Sequence, residues 1–361
     1  MNEQETPAAQ GLLGAVYASL GNHQAAATEL AKAAAKNPLD ASLLSNLCNS
    51  LNEVGRFDEA IAAGQKATAL NPSSAVAHVN LGNALTGKGD MEGATRSIRQ
   101  ALLIRPDFVE AHFNLGNALK DKGDLDGAIA SYRQTLQLRP DFAEAHNNLG
   151  DALKENDLDN AIASYQRALQ INPEYSDAHN NLGNALEEKD DLDGAIASYR
   201  QALRINPGLA VAHNNLGNAL KDNDDLGGAI TNYRHALRIR PDFAEAHYNL
   251  GNALRDKGEM DSAVASYRRA LQIRPDYAEA HIGLGHSLMD PDHYEKALAS
   301  ARRALEINPG DEEAMRLAGD ALLYLGNHNE GLKMLSAVSG VICFEPGVGV
   351  SIRRGETIAA H

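Results

Sequence analysis

Residues 109–142 read VEAHFNLGNALKDKGDLDGAIASYRQTLQLRPDF, a 34-residue text that contains the architecture of the chain. Numbered from 1 to 34, its positions 4, 7, 8 and 11 (His112, Leu115, Gly116, Leu119) have the i, i+3, i+4, i+7 spacing of one helix face. Positions 20, 24, 27 and 28 (Ala128, Tyr132, Thr135, Leu136) repeat that rule for a second helix. Gly123 at position 15 suits the left-handed residue that ends a helix. Pro140 at position 32 cannot continue the second helix and opens the link to the next unit. The segment is a helical hairpin. Glycine at position 8 and alanine at position 20 remove side-chain bulk, so the paired helices can approach closely.

The hairpin is copied along the chain. Pro38, Pro72, Pro106, Pro140, Pro173, Pro207, Pro241, Pro275 and Pro309 fall at intervals of 34 residues, with a single interval of 33. A fixed period of this size means one supersecondary unit stacked end to end, burying a continuous core between neighbours. Ten units begin near Pro7, Ala41, Ala75, Val109, Ala143, Ser176, Ala210, Ala244, Ala278 and Glu312. Position 8 is glycine in all but repeat two, which has Cys48, and position 20 is alanine in all but the last, which has Gly331. Repeat five lacks one residue in its inner turn, where Asn156 stands near the usual glycine and is expected to adopt its left-handed conformation. Repeats six, seven and nine place Asp190, Asp224 and Asp292 there, so those turns are expected to be less well capped.

These residues resemble the tetratricopeptide repeat (TPR): the leucine–glycine pair, the small residue at position 20, the aromatic at position 24 and the proline at position 32. The resemblance spans residues 7–337, between a lead-in of residues 1–6 and a tail of residues 338–361. The family's usual tryptophan at position 4 is absent, histidine or an aliphatic residue standing instead. The resemblance implies an all-α, right-handed superhelical solenoid whose first helices line a concave groove for partner peptides.

Bulk composition agrees with a binding role. The formal charge of −15 argues against nucleic acid or an anionic membrane as the main partner and favours neutral to basic ligands. Only Cys48 and Cys343 occur, too few for a disulfide framework. The opening MNEQETPAAQ has no positively charged region before an apolar stretch, so it does not read as a signal peptide. No apolar run approaches the ~20 residues of a membrane span. A cytoplasmic protein without membrane insertion is the expectation.

Position 6 is asparagine in seven consecutive repeats: Asn46, Asn80, Asn114, Asn148, Asn181, Asn215 and Asn249. Position 9 is nearly as uniform, with Asn49, Asn83, Asn117, Asp151, Asn184, Asn218 and Asn252. At 100° per residue, position 6 points about 150° away from the packing face, which predicts an exposed asparagine stripe edged by carboxylates such as Glu144 and Glu155. Duplication of one solvated residue is the plain explanation. Against it, asparagine inside a helix costs roughly 0.5 kcal/mol relative to alanine. Repeat two also keeps Asn46 and Asn49 although its positions 4 and 8 have drifted to Leu44 and Cys48. An amide offers a carbonyl and two N–H donors, a match for an extended peptide backbone. Such a ladder resembles the groove of the TPR region of O-GlcNAc transferase, and that resemblance implies asparagines that hold substrate backbones. As an exposed stripe, these asparagines should also be replaceable by alanine with a slight gain in stability.

Position 4 is histidine in seven repeats, from His78 to His281. Equivalent residues of stacked repeats lie on the order of 10 Å apart, too far to converge on a metal, so these read as packing-face histidines with hydrogen-bonded rings. Gly347–Ile352 lacks the trailing glycine and helix of a dinucleotide fingerprint. Cys48 fills a glycine slot and reads as a small buried residue. No catalytic constellation, metal site or cofactor site is expected, and the chain is not read as an enzyme. The tail's VICF and VSI runs around PGVG give a hairpin signal, with a cap over the last repeat as the preferred reading and a self-associating edge or a further domain as alternatives. Three functions remain: a scaffold holding extended segments, a recruiting module of a glycosyltransferase-like system, and a self-assembling structural protein.

Overall fold

A computed structural model describes residues 6–339, 341–345 and 349–353. The helical hairpins succeed one another as the period requires. Repeats one to five supply α1 (Pro7–Ser19) and α2 (His23–Lys36), α3 (Ala41–Glu53) and α4 (Phe57–Leu70), α5 (Ala75–Lys88) and α6 (Met91–Ile104), α7 (Val109–Asp121) and α8 (Leu125–Leu138), and α9 (Ala143–Leu153) and α10 (Leu158–Ile171). Repeats six to ten supply α11 (Ser176–Glu188) and α12 (Leu192–Ile205), α13 (Ala210–Asp222) and α14 (Leu226–Ile239), α15 (Ala244–Asp256) and α16 (Met260–Ile273), α17 (Ala278–Ser287) and α18 (Tyr294–Ile307), and α19 (Glu312–Tyr324) and α20 (His328–Ser339). The chain groups into two compact units, residues 1–185 and 186–361.

Within the first unit, α1, α3, α5, α7 and α9 pack successively on one another, and α2, α4, α6 and α8 each pack on the first helix of the next repeat. In the second unit α13, α15, α17 and α19 do the same. First helices therefore crowd along one side of each unit while second helices spread along the other, which makes the first-helix side the inner one.

The core is built from small residues and tyrosine. Ala128, Ala161, Ala195, Ala229 and Ala263 at position 20 are fully buried. Tyr132, Tyr165, Tyr199, Tyr233 and Tyr267 at position 24 are the largest fully buried side chains. The glycine at position 8 makes room for that ring. A Cβ at Gly116, Gly150, Gly217 or Gly251 would stand 2.5–2.7 Å from the tyrosine of its own repeat, closer than real Cβ contacts come. Repeat two reverses the sizes, with Cys48 at position 8 facing Gly64 at position 24.

The inner turns adopt three patterns. Gly21, Gly55, Gly89, Gly123, Gly258 and Gly326 are left-handed, as position 15 requires. Asp190 and Asp224 adopt the same conformation at φ 61° despite carrying a Cβ. Asn156 and Asp292 do not, contrary to expectation. Repeat five, one residue shorter, closes its turn with Asn156 N–H and Asp157 N–H both donating to the Leu153 carbonyl, at 3.0 and 2.7 Å, which needs no left-handed residue. Repeat nine ends α17 early, at Ser287, and its turn is organised around Asp290, whose carboxylate accepts from Asp292 N–H and faces His293 Nδ1. After each of five turns an aspartate caps the second helix. Asp90, Asp124, Asp157, Asp191 and Asp225 each accept from the backbone N–H three residues on, at 2.8–3.3 Å.

In the tail, β1 (Val341–Glu345) and β2 (Gly349–Arg353) pair antiparallel, Val341 opposite Arg353 and Glu345 opposite Gly349. Residues 346–348 and 354–361 lie outside the described residues, and with them the expectation that the tail caps the array.

Candidate functional site

The asparagine row lies on the inner side of each unit, but not as a free stripe. Asn80, Asn114, Asn148, Asn181 and Asn249 are half-buried, and each donates from Nδ2 to the preceding repeat. Asn114 reaches Asn83 Oδ1 at 2.9 Å, Asn148 reaches Asn117 Oδ1 at 3.0 Å, and Asn181 reaches Asp151 Oδ1 at 3.0 Å and Asn147 Oδ1 at 3.1 Å. Asn80 donates to the carbonyl and hydroxyl oxygens of Ser45, and Asn249 to Asn214 Oδ1. The expectation of full exposure is therefore corrected. A helical wheel places position 6 away from its own hairpin, but the neighbouring first helix stands close enough to cover half of it. Asn184 and Asn215 are likewise half-buried. Asn46 alone in the row is exposed.

Position 9 is the anchor of this network. Its side chain also accepts from the buried tyrosine of its own repeat: Tyr132 Oη donates to Asn117 at 2.8 Å, Tyr165 to Asp151 at 2.8 Å, Tyr233 to Asn218 at 2.8 Å and Tyr267 to Asn252 at 2.7 Å. In repeat six the hydroxyl of Tyr199 donates to Glu187, at 2.6 Å. In repeats four and five, glycine at position 8, tyrosine at 24, the polar side chain at 9 and the next repeat's amide at 6 thus form one connected unit, whereas Asn80 and Asn249 bond position 5 of the preceding repeat. The tyrosine hydroxyl was the member that sequence reasoning missed; a buried Tyr in place of Phe at every one of these positions was the available signal, since a buried phenol seeks an acceptor.

Two carboxylates in this network are perturbed. Burial pushes Asp151 above the usual carboxylate range, opposed by the bond from Tyr165 and by Lys120, whose Nζ lies 3.7 Å away. Burial likewise raises Glu187, opposed by Tyr199, while nearby Asp222 raises it further.

The position-4 histidines share one partner type. His78, His112, His146, His179, His213, His247 and His281 each place Nε2 at 2.8–3.3 Å from the carbonyl of the proline six residues earlier. A carbonyl only accepts, so Nε2 carries the proton and each ring ties the inter-repeat link to the helix after it. His286 Nε2 faces Glu313 at 3.1 Å and His293 Nδ1 faces Asp290 at 2.9 Å. Burial pushes the Cys48 thiol up to about 12, which keeps it protonated and inert as a nucleophile. Among the described residues, no group of three or more His, Cys, Asp and Glu side chains could hold a metal ion, and no helix is long and apolar enough to cross a membrane.

In the second unit the inner side carries a cavity of about 260 Å³ formed by α13, α15, α17 and α19. Its lining includes Tyr248, Asn252 and Ile282, two cations (Lys221, Arg255) and four carboxylates (Asp256, Glu279, Asp311, Glu313). Each cation already lies within 4 Å of an acid on its own helix, Lys221 at 3.8 Å from Asp222 and Arg255 at 3.6 Å from Asp256.

Comparison with known proteins agrees with this architecture. A family profile described as "TPR repeat" matches residues 49–89, 82–123, 116–157, 217–254 and 251–290. A second, described as "Tetratricopeptide repeat", matches residues 151–210 and 282–337. No curated protein sequence matches the chain. Among solved structures, a crystal structure of MamA is similar at 30% identity over 46% of this chain and 97% of that one, with a TM-score of 0.43. A second MamA structure has 29% identity over 47% and 94%, also at 0.43. YrrB, titled a TPR protein with an unusual peptide-binding site, has 26% identity over 51% and 95%, again at 0.43.

Proposed function

This chain belongs to the tetratricopeptide-repeat family, and from that premise we propose that it is a non-catalytic scaffold binding extended peptide segments along the inner side of each unit, through the asparagine row. One observation carries the proposal: the amides of Asn114, Asn148 and Asn249 are each held in place by one Nδ2 bond to the preceding repeat yet are not used up, whereas Asn80 and Asn181 make two such bonds. After donating one N–H, Asn114 or Asn148 keeps a second N–H and acceptor capacity at Oδ1. Groups already fixed in one orientation lose little freedom when a ligand arrives. A row that addresses backbone tolerates many ligand sequences, in keeping with its resemblance to the asparagine ladder of O-GlcNAc transferase. The cavity of the second unit adds a preference: four carboxylates against two cations favour a neutral or basic side chain.

The test is titration of fluorescent, proline-free peptides of about fifteen residues, in original and scrambled order, against the parent protein and Asn114→Ala/Asn148→Ala/Asn249→Ala. At about 1 kcal/mol per lost amide, the triple variant should bind roughly a hundredfold more weakly. The loss should be similar for both peptide orders and little affected by salt. Unchanged affinity in a variant that circular dichroism shows folded would overturn the proposal.

A further inference from the structure

The leading face of repeat one differs from that of every later repeat. Thr6 caps α1 by accepting from Ala9 N–H, and Pro7 occupies its first turn. Beyond that start, Leu12, Val16 and Leu20 occur at four-residue steps and are 69%, 45% and 74% exposed. Leu12 and Val16, spaced by four, share one face of α1, and Leu20 follows at its C-cap, so the three form an apolar stripe about two turns long.

Two observations say what that stripe fits. The first is size. Position 10 of a first helix is alanine or serine in all nine later repeats, while in repeat one it is Val16. In the later repeats Ala118, Ala152 and Ala253 are fully buried there. Valine in so tight a slot, with Leu12 replacing the asparagine of position 6, would overpack a stacked repeat. The face is therefore not shaped to continue the array. The second is charge. Among the described helices α1 is the only one without an Asp, Glu, Lys, Arg or His side chain. Two copies of a chain of net charge −15 repel one another, and a helix free of charge is where that repulsion is least.

We infer that α1 is a self-association face, on which Leu12, Val16 and Leu20 meet the same residues of a second copy across a two-fold axis. Such an isologous contact closes at two subunits and leaves the inner side of both copies unchanged. Three side chains per copy fall short of the ~800 Å² per partner typical of a stable interface, so the dimer is weak and reversible.

Sedimentation equilibrium of the full chain over about 5 to 500 µM should show the average mass rising towards twice the monomer, a range in which a weak dimer is half formed. Leu12→Glu/Leu20→Glu, two exposed positions at which the fold tolerates charge, should remain monomeric throughout. Val16→Cys in a Cys343→Ser background should give a disulfide-linked dimer on mild oxidation, since only a two-fold contact brings Val16 to its own copy. A parent that stays monomeric, a double variant that still dimerises, a cysteine variant that does not cross-link, or growth beyond two subunits would each overturn the inference.

Discussion

Repeats two and four are hairpins of the same length whose interiors are filled in opposite ways. In repeat four the ring of Tyr132 lies over Gly116, and its hydroxyl anchors Asn117, which in turn accepts from Asn148. In repeat two the sulfur of Cys48 faces Gly64, there is no ring and no hydroxyl, and Asn80 bonds to Ser45 instead. Repeat three stands between them: Ile98 covers Gly82, yet Asn114 still reaches Asn83. The fold accepts any filling of the right volume, and the polar row does not simply follow that filling: Asn114 keeps its position-9 partner where Ile98 replaces the tyrosine, whereas Asn249 bonds Asn214 although Tyr233 fills repeat seven. Interior packing and the polar row are thus separable in this chain, the first set by volume and the second by which polar side chain of the preceding first helix lies within reach.

The sharpest way to break that contrast is to add one methyl group to each interior. Gly116→Ala puts a Cβ 2.5 Å from the Tyr132 ring, while Gly64→Ala meets the Cys48 sulfur at 3.0 Å. Overpacking of this kind costs about 1–3 kcal/mol and alanine returns up to ~1 kcal/mol in helix propensity. Gly116→Ala should therefore be destabilised by about 1–2 kcal/mol and Gly64→Ala nearly unchanged, as read by urea denaturation. Equal effects at both sites would remove the distinction between the two interiors.

Tyr132→Phe keeps the ring and deletes only the hydroxyl, making repeat four resemble repeat three. A loss of about 1 kcal/mol is expected, because Asn117 keeps its bond from Asn148. No loss at all would show that the hydroxyl is incidental to the row.

Asp151→Asn restores the amide that other repeats carry at position 9. The carboxyl is raised in the folded chain by burial, so its charge opposes folding above the unfolded value of 3.8. The substitution should raise stability slightly at pH 7, less what the Lys120 contact contributes, and the gain should vanish in acid where Asp151 is protonated. A stability loss at pH 7 would mean that the charge is needed by its neighbours.

The smallest effect separates the linker histidines from the rest. Burial lowers His146, His247 and His281 below the ordinary 6.5, outweighing the bond each makes to a proline carbonyl. Groups lowered on folding give stability that is full above the unfolded value and is lost as pH falls through the folded one. The melting temperature should fall between about pH 7 and pH 5, and glutamine at all three sites should flatten that slope. An unchanged slope in the triple variant would place the acid sensitivity elsewhere.

The hairpins were legible because their signals lie within one helix or one turn: Leu115 and Gly116 on one face, Gly123 at the turn, Pro140 at the link. Gly116 could be read as a close approach, though not as the seat of a tyrosine 16 residues later. The state of Asn148 was not legible. Its partner Asn117 lies 31 residues away, on a neighbouring helix whose distance no helical wheel contains. Its predicted gain on replacement by alanine reverses, because removing the amide now withdraws a donor from Asn117 and Asn181 has the same relation to Asp151. Asn156 failed for a different reason: deleting a residue changed the kind of turn, where the sequence suggested the same turn with a different occupant.

Five asparagines of the row bond across repeats in the same direction, from the N–H of a later repeat to an oxygen of the one before it: Asn80 to Ser45, Asn114 to Asn83, Asn148 to Asn117, Asn181 to Asp151, Asn249 to Asn214. The row is therefore a vector. Traversed forwards and backwards it presents donors and acceptors in different order, as does a polypeptide. A strand laid along either unit would meet a surface that distinguishes its direction even while ignoring its side chains, so peptides of different sequence would lie along it in the same N-to-C orientation.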